Sequence, residues 1–315
     1  MKSDVHVPIM LNEVLEGLDI KKNGIYLDLT LGRAGHSSEI LQRLSSDGLL
    51  IGLDQDDEAL EFSKDRLSKF GSNYKVIKSN FKDVDKVLAS LNIKGIDGAL
   101  FDLGVSSPQF DEDYRGFSYR LDSPLDMRMN QESKLTAKTI VNTYSLNELT
   151  RIFKEYGEEK FSYQIAKEIV KQREIKEIET TFELVDIIKK AKPKSELLKK
   201  GHPAKQIFQA LRIEVNDELN VLKIGLRKVI ESLNVNGRIC VITFHSLEDR
   251  IVKNLFKEYS VVEGDRNNDY ILPNELKIPK YREVNKKVIL PSSEELNLNP
   301  RSKSAKLRIL ERTGR

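Results

Sequence analysis

Between residues 25 and 103 short apolar runs alternate with amphipathic stretches, a rhythm that predicts βαβ units feeding a parallel sheet. The pattern places strands at 25–29, 49–53, 74–77 and 96–103, with helices near 38–44, 58–70 and 84–91 between them. After Leu103 the rhythm stops. Residues 106–129 are rich in Pro, Gly, Asp and Arg, and only helical periodicity follows, which marks an insertion. Inside it Ser145 with Glu148, and Thr180 with Glu183, have the S/T-x-x-E spacing in which side chain and backbone cap one another, so helices are predicted to begin there. Gly157 and Pro193 fall where those helices would end. Beyond Gln206, Ile207, Leu211, Val215, Leu219, Leu222 and Leu226 recur at spacings of three and four, predicting one long helix before a strand at 238–244. Two short strands, 288–290 and 307–310, are predicted to close the sheet as an antiparallel edge. The expected fold class is α/β, a mostly parallel Rossmann-like sheet with an inserted all-helical domain, divided at 1–112, 113–205 and 206–315.

Length and composition fit that picture without deciding the chemistry. With 315 residues, 39% of them hydrophobic, the chain can bury the core of one large unit and a smaller one. Its 52 basic and 49 acidic residues nearly cancel, so net charge does not argue for nucleic acid and local clusters must decide. Cys240 is the single cysteine, set in the apolar run 239–244; it excludes an internal disulfide and supplies no metal-ligand pair, so no metal is expected and a reducing cytoplasm fits. No apolar run approaches the roughly 20 residues a membrane span needs, and residues 1–18 carry acids and Pro8, so neither membrane partner nor export signal is expected.

The chemistry starts where the first strand ends. Asp28 leads into the turn DLTLGRAGHS, in which Gly32 and Gly35 allow a sharp bend and close approach of the backbone to a ligand. Asp54, at the end of the second strand, is placed to accept two hydrogen bonds from a ribose diol, which implies a nucleoside ligand. Nucleotide dehydrogenases share these features, but their G-x-G-x-x-G fingerprint faces a pyrophosphate. Here the third glycine is missing and Asp28 would repel phosphate, whereas an acid suits the cationic amino-acid end of S-adenosylmethionine. Ser79, Asn80 and Phe81 follow the third strand, where an amide and a ring can meet adenine, and Asp102 closes the fourth beside Gly104 and Pro108. Ligands of open parallel sheets lie beyond the carboxyl ends of the strands, so these positions converge. Each also has a purely structural reading, Asn80 as a turn residue, Phe81 as core and Asp102 as a cap.

Seven blocks in order carry a more specific signal: HVPIMLNEVL from His6, GRAGHS from Gly32, LDQD around Asp54, FDLGVSSPQFD from Phe101, RGFSYRLDSPLDMRMN from Arg115, TFHSLEDRIVK from Thr243 and NPRSKSAKLRILER from Asn299. In wording and order the chain resembles the bacterial small-subunit ribosomal RNA (16S rRNA) cytosine-N4 methyltransferase family over nearly its whole length. The resemblance implies a class I methyltransferase fold with a helical insertion, S-adenosylmethionine as cofactor, and methylation of the exocyclic N4 of a cytidine in the decoding centre, at the P site. Its implied partner is 16S rRNA, within the small ribosomal subunit. By motif position the donor site falls on Gly32, Ala34, Gly35, His36, Asp54, Phe81, Asp102 and Gln109. Ala34 stands where many relatives have glycine, which bears on how closely the backbone can approach the donor.

Cytosine N4 is a poor nucleophile because its lone pair is delocalised into the ring, so its methylation needs an aligned donor and an acceptor for the released proton. Two catalytic candidates result: Asp102, with the loop 104–109 that looks like a variant acid-x-Pro motif, and His245 just past the fifth strand. For the latter segment the structural reading has Ser246 capping the next helix, with Glu248 and Asp249 in its first turn. For RNA, Lys189, Lys190, Lys192, Lys194, Lys199, Lys200 and Lys205 face a single acid, Glu196, and can neutralise phosphates, although a solvated helix face has the same composition. Arg115, Tyr119, Arg120 and Arg128 around Phe117 form a second candidate surface for an extruded base. The competing classes are a nucleotide-dependent small-molecule enzyme, which the turn chemistry disfavours, and a non-catalytic RNA-binding or assembly protein on the same fold. Dimerisation, and naked RNA against an assembled particle as substrate, stay open.

Overall fold

The computed structural model describes residues 8–261 and 279–314; His6 and Val7 of the first motif block lie outside them. The chain divides into two compact units, Met1–Gly104 with Leu219–Arg315, and Val105–Glu218.

The first unit is built on one sheet of seven strands among the described residues: β1 (Ile25–Asp28), β2 (Leu49–Asp54), β3 (Tyr74–Lys78), β4 (Ile96–Asp102), β5 (Leu233–Thr243), β6 (Tyr281–Glu283) and β7 (Lys306–Arg312). Their order is β3-β2-β1-β4-β5-β7-β6. β1 to β5 pair in parallel, β7 runs antiparallel to β5, and β6 antiparallel to β7. This is the mostly parallel, Rossmann-like architecture. The chain steps outward from β1 to β3 and then crosses to β4 on the other side of β1, so the carboxyl ends of β1 and β4 flank the point where such sheets open a ligand crevice.

Strand pleating explains the burial. Leu27, Ile51, Leu53, Phe101, Ile239 and Val241 point into one core, and Tyr26, Leu50, Leu100, Cys240 and Ile242 into the other, as alternate residues of a sheet covered on both faces must. β3 is the exception. Its sequence YKVIK leaves Lys75 and Lys78 exposed, as befits an edge strand whose charges discourage further pairing.

Two expectations are corrected here. Residues 288–290 do not form the outer strand: Ile289 makes a single bridge to Leu307, and the edge is instead β6. Its residue Tyr281 is buried, donates its hydroxyl to the Ile230 carbonyl, and meets Tyr259 edge-on. The single long helix predicted across 207–226 is two, Lys205–Asn216 and Glu218–Ser232. Asp217 breaks it in the left-handed conformation at φ 50°, which aspartate tolerates better than most residues, while the apolar spacing runs on undisturbed.

The second unit is helical. Its main helices are Ala137–Thr143, Leu146–Glu155, Ser162–Arg173, Thr181–Ala191 and Lys205–Asn216, packed around Ile140, Phe153, Ile165, Leu184, Ile207 and Leu211. Both predicted capping boxes are present, Ser145 with Glu148 and Thr180 with Glu183, each side chain bonding the other's backbone N–H. A Cβ on Gly157 would meet the carbonyl oxygens of Phe153 and Gln206 at 2.7 Å, so only glycine fits after that helix. The unit extends beyond 113–205 at both ends because Phe208 and Leu211 belong to its core and Val105 and Phe110 pack against it. No described helix is long and apolar enough to cross a membrane.

Candidate donor site and nucleic-acid surface

The turn after β1 is held from beneath by its own acids. Gly32, at φ 48°, donates its N–H to Asp54 Oδ2 at 2.8 Å, and Asp54 Oδ1 accepts from the N–H groups of Gln55 (2.7 Å) and Asp56 (3.0 Å). One carboxylate thereby ties the glycine turn to the end of β2. Of the roughly four lone-pair directions a carboxylate offers, three are occupied, so one on Oδ2 is left for a ligand hydroxyl where two were expected. Burial pushes the Asp54 carboxyl up, and its backbone donors work against that rise.

Asp28 is a brace rather than an open ligand group. It is 2% exposed, accepts from Ser37 Oγ at 2.7 Å and from the Thr30 N–H at 3.1 Å, and Thr30 Oγ1 in turn accepts from the Asp102 N–H at 2.7 Å. The chain Ser37, Asp28, Thr30, Asp102 thus locks the turn onto the end of β4. Burial pushes Asp28 up to about 6. Asp102 is pushed further, to about 8, first by burial and then by the charges of Asp28, Glu248 and Glu295.

His36, 5% exposed, faces Asp102 across this site. Its Nε2 bonds the Ile9 carbonyl at 3.0 Å, and since a carbonyl only accepts, that nitrogen carries the proton. Burial lowers His36 to about 4, so the imidazole is neutral and presents bare Nδ1 to Asp102 Oδ2 at 3.6 Å. No charged cation lies in ion-pair reach of Asp102 among the described residues. A crevice end holding several acids and no resident counter-cation fits a ligand that brings positive charge, and S-adenosylmethionine carries it on both sulfonium and ammonium groups. Residues 8–10 border the same turn: a Cβ on Gly35 would meet Pro8 Cγ at 2.6 Å, and the Met10 N–H bonds Glu295 Oε1 at 2.8 Å.

The remaining sequence-predicted residues are placed as follows. Phe81 opens a short turn after β3, packs edge-on against Phe101 at 5.4 Å and against the backbone side of Gly225, and keeps part of its ring accessible. Asn80 caps that turn and donates to Gln55 Oε1 at 2.8 Å, so its amide is already engaged. Gln109 belongs to the second unit, where it is buried and accepts from the Ser106 N–H at 3.1 Å. Ser246 is not the helix cap; His245 is. Its side chain accepts from the Glu248 N–H, the Glu248 carboxylate accepts from the N–H groups of Phe244 and His245, and Nε2 lies 3.0 Å from Glu248 Oε1. His245 therefore fixes the start of the helix Ser246–Ser260.

The basic surfaces are reduced by pairing within the second unit. Lys192 is buried with Glu159 at 2.6 Å and also donates to the Pro203 carbonyl; it is a structural bridge and not a phosphate contact. Lys189, Lys190 and Lys199 pair with Asp186, Glu168 and Glu196, so the cluster faces several acids and not Glu196 alone. Arg115 is buried and donates to the carbonyls of Arg128 and Met129, Phe117 is core, and Arg128 forms a two-pronged pair with Asp126. Tyr119 and Arg120 of that second surface remain at the solvent boundary without an ion pair among the described residues, whereas the half-buried Arg128 is taken up by Asp126. Sequence reasoning missed their neighbour His202, whose ring stacks on Tyr119 at 4.3 Å and 12°. It also missed two long-range contacts that no local motif announces, the bond from the Asp102 N–H to Thr30 Oγ1 within the turn and the bond from the Met10 N–H to Glu295 beside it.

Several solved structures resemble the chain. A candidate rRNA methylase from Clostridium thermocellum is 11% identical with 98% of this chain and 99% of that one covered, at a TM-score of 0.45. A candidate methyltransferase from Streptococcus mutans, solved in complex with SAH, is 12% identical with 98% and 99% covered, at 0.43. An rRNA methylase from Streptococcus thermophilus is 12% identical with 96% and 93% covered, at 0.42. The sequence model of the MraW methylase family matches residues 3–313, almost end to end. The chain therefore belongs to the MraW methylase family, and S-adenosylmethionine is its methyl donor.

Proposed function

We propose that the chain methylates the exocyclic N4 of a cytidine in the decoding centre, at the P site, of 16S rRNA, within the small ribosomal subunit and in the cytoplasm. The observation that carries this reading is Asp102. It closes β4 beside the donor turn, is partly withdrawn from water, and has a proton affinity set near neutrality, which is where an acceptor for an amino-group proton works best. S-adenosylmethionine, when bound, supplies a methyl carbon activated by its sulfonium. The protein's share is positioning and proton handling. Gly32, Ala34 and Gly35 shape the turn, Asp54 offers its remaining lone pair to a ribose hydroxyl, and a cation beside Asp102 favours its ionised form. Ionised, Asp102 can accept a hydrogen bond from N4 and hold the amino group in line.

The test is labelled-methyl transfer to unmodified small subunits and to free ribosomal RNA, followed by nucleoside analysis. N4-methylcytidine is the expected product. Its absence from both substrates overturns the reading. Asp102→Asn, which keeps the size and loses the acceptor, should lower turnover by about 10²–10⁴-fold, the range for removal of general acid–base help.

A further inference from the structure

We propose that Arg120, His202 and Lys189 form a binding node for an RNA backbone phosphate on the helical unit, a subsite that rests on the reading of the chain as an rRNA methyltransferase. Arg120 is exposed, and its guanidinium makes no hydrogen bond or ion pair among the described residues. Its carbon lies 6.0 Å from the Tyr119 ring centre, and the opposite side chain of that contact is itself stacked on His202. Phe208 meets Tyr119 edge-on at 5.7 Å, so the Tyr119 ring has little freedom to turn.

The His202 imidazole is oriented as well as stacked. Its Nδ1 accepts from the Ala204 N–H at 3.3 Å, which leaves Nε2 as the nitrogen that bears the proton, and Nε2 has no partner among the described residues. Burial first, and then Lys189, Arg120 and Lys192, hold its proton affinity down, so it is a neutral donor surrounded by cations. Lys192 is neutralised by Glu159, and the Asp186 that pairs with Lys189 at 3.7 Å is largely solvated. What remains is the Arg120 guanidinium and His202 Nε2, N–H donors without partners among the described residues and both carried by side chains that contact the Tyr119 ring, with positive charge in surplus around His202. An anion with several acceptor oxygens satisfies both, and a backbone phosphate is that anion in RNA. No base is read at such a site; it would fix the strand's position on the unit.

The experiment measures binding of a labelled single-stranded RNA to the full chain across a salt series. Arg120→Gln, at an exposed and unpaired position, should leave folding intact, weaken RNA binding, and reduce the slope of log affinity against log salt by about 1. His202→Phe keeps the stack on Tyr119 and loses the donor; it should weaken binding about tenfold and leave the salt slope unchanged. In the unmodified chain, added RNA should raise the titration midpoint of His202 seen by NMR, because a nearby anion favours the imidazolium. Unchanged affinity and slope in Arg120→Gln, or a His202 midpoint that RNA does not move, overturns the node while leaving the methyltransferase reading in place. Failure of the unmodified chain to bind RNA at any salt overturns the node together with the RNA reading.

Discussion

At the scale of single residues, Asp102 gives the proposed donor site a pH signature. Its folded value of about 8 lies above the ordinary 3.8, so the folded chain binds the extra proton between those limits. That contribution to stability is complete below about 4 and is lost as pH rises through about 8. His36, lowered to about 4 from 6.5, acts oppositely, but only below 6.5. Above 6.5, then, the donor-free protein should lose stability with rising pH through Asp102, and thermal melts of Asp102→Asn should not show that fall. Binding a cation at the site expels the proton, so donor affinity should climb by up to about tenfold per pH unit toward pH 8, again only with Asp102 present. A titration of donor binding that is flat with pH in the unmodified chain contradicts this. Ala34 is a second residue-scale case. It sits at φ 54° with its methyl fully buried. Changing it to glycine relieves about 1–2 kcal/mol of left-handed strain, loses about 0.8 kcal/mol of methyl burial and adds about 0.4–1 kcal/mol of unfolded-state entropy. The terms nearly cancel, so Ala34→Gly should leave Tm almost unchanged. Gly32→Ala, at φ 48° with only the Thr30 carbonyl nearby at 3.8 Å, takes on about 1–2 kcal/mol of the same strain against about 0.4–1 kcal/mol of unfolded-state entropy, and should lower stability by about 1 kcal/mol.

At the scale of elements, local signals were read well and distant ones were not. Capping boxes at Ser145 and Thr180 are four-residue patterns whose partners lie three positions apart, and the structure has both. Thr180→Ala should accordingly cost about 1 kcal/mol in denaturant melts. The parallel strands inside the sheet announce themselves because burial on both faces demands apolar runs such as LLIGLD. β6 does not, since YRE carries no alternation and its place is set by pairing with β7. The break at Asp217 is equally silent: one residue in the left-handed region ends a helix without interrupting its apolar period. In the candidate site, Gly32, Asp54 and Asp102 were legible from their positions at strand ends. Which groups already occupy them was not, because Ser37, Thr30, Glu248 and Glu295 converge only once the sheet is assembled. The acids facing the lysine cluster were undercounted for the same reason, as Glu159 and Glu168 lie far from Lys192 and Lys190 in sequence.

At the scale of the whole molecule, the two units differ in how the chain builds them. The sheet-bearing unit is assembled from two separated segments, Met1–Gly104 and Leu219–Arg315, whereas the helical unit is one uninterrupted stretch, Val105–Glu218, with its own apolar core. A continuous stretch with a private core meets the requirements of an autonomously folding domain. Its end is closed internally too, by Arg212 gripping Glu218 through two hydrogen bonds of 2.8 and 2.9 Å. Residues 105–218 expressed alone should therefore unfold in a single cooperative transition, while residues 1–104 alone, missing β5 and β7, should not fold. The buried pair gives the check its resolution. Lys192→Ala leaves Glu159 charged and unpaired in the core and should cost about 3–5 kcal/mol, by the same amount in the isolated unit as in the full chain. Lys194→Ala and Lys200→Ala, exposed and without ion pairs among the described residues, should leave the melts of both unmoved. An isolated helical unit that melts without a cooperative transition, or a Lys192→Ala cost that appears only in the full chain, would show that its stability is borrowed from the sheet-bearing segments.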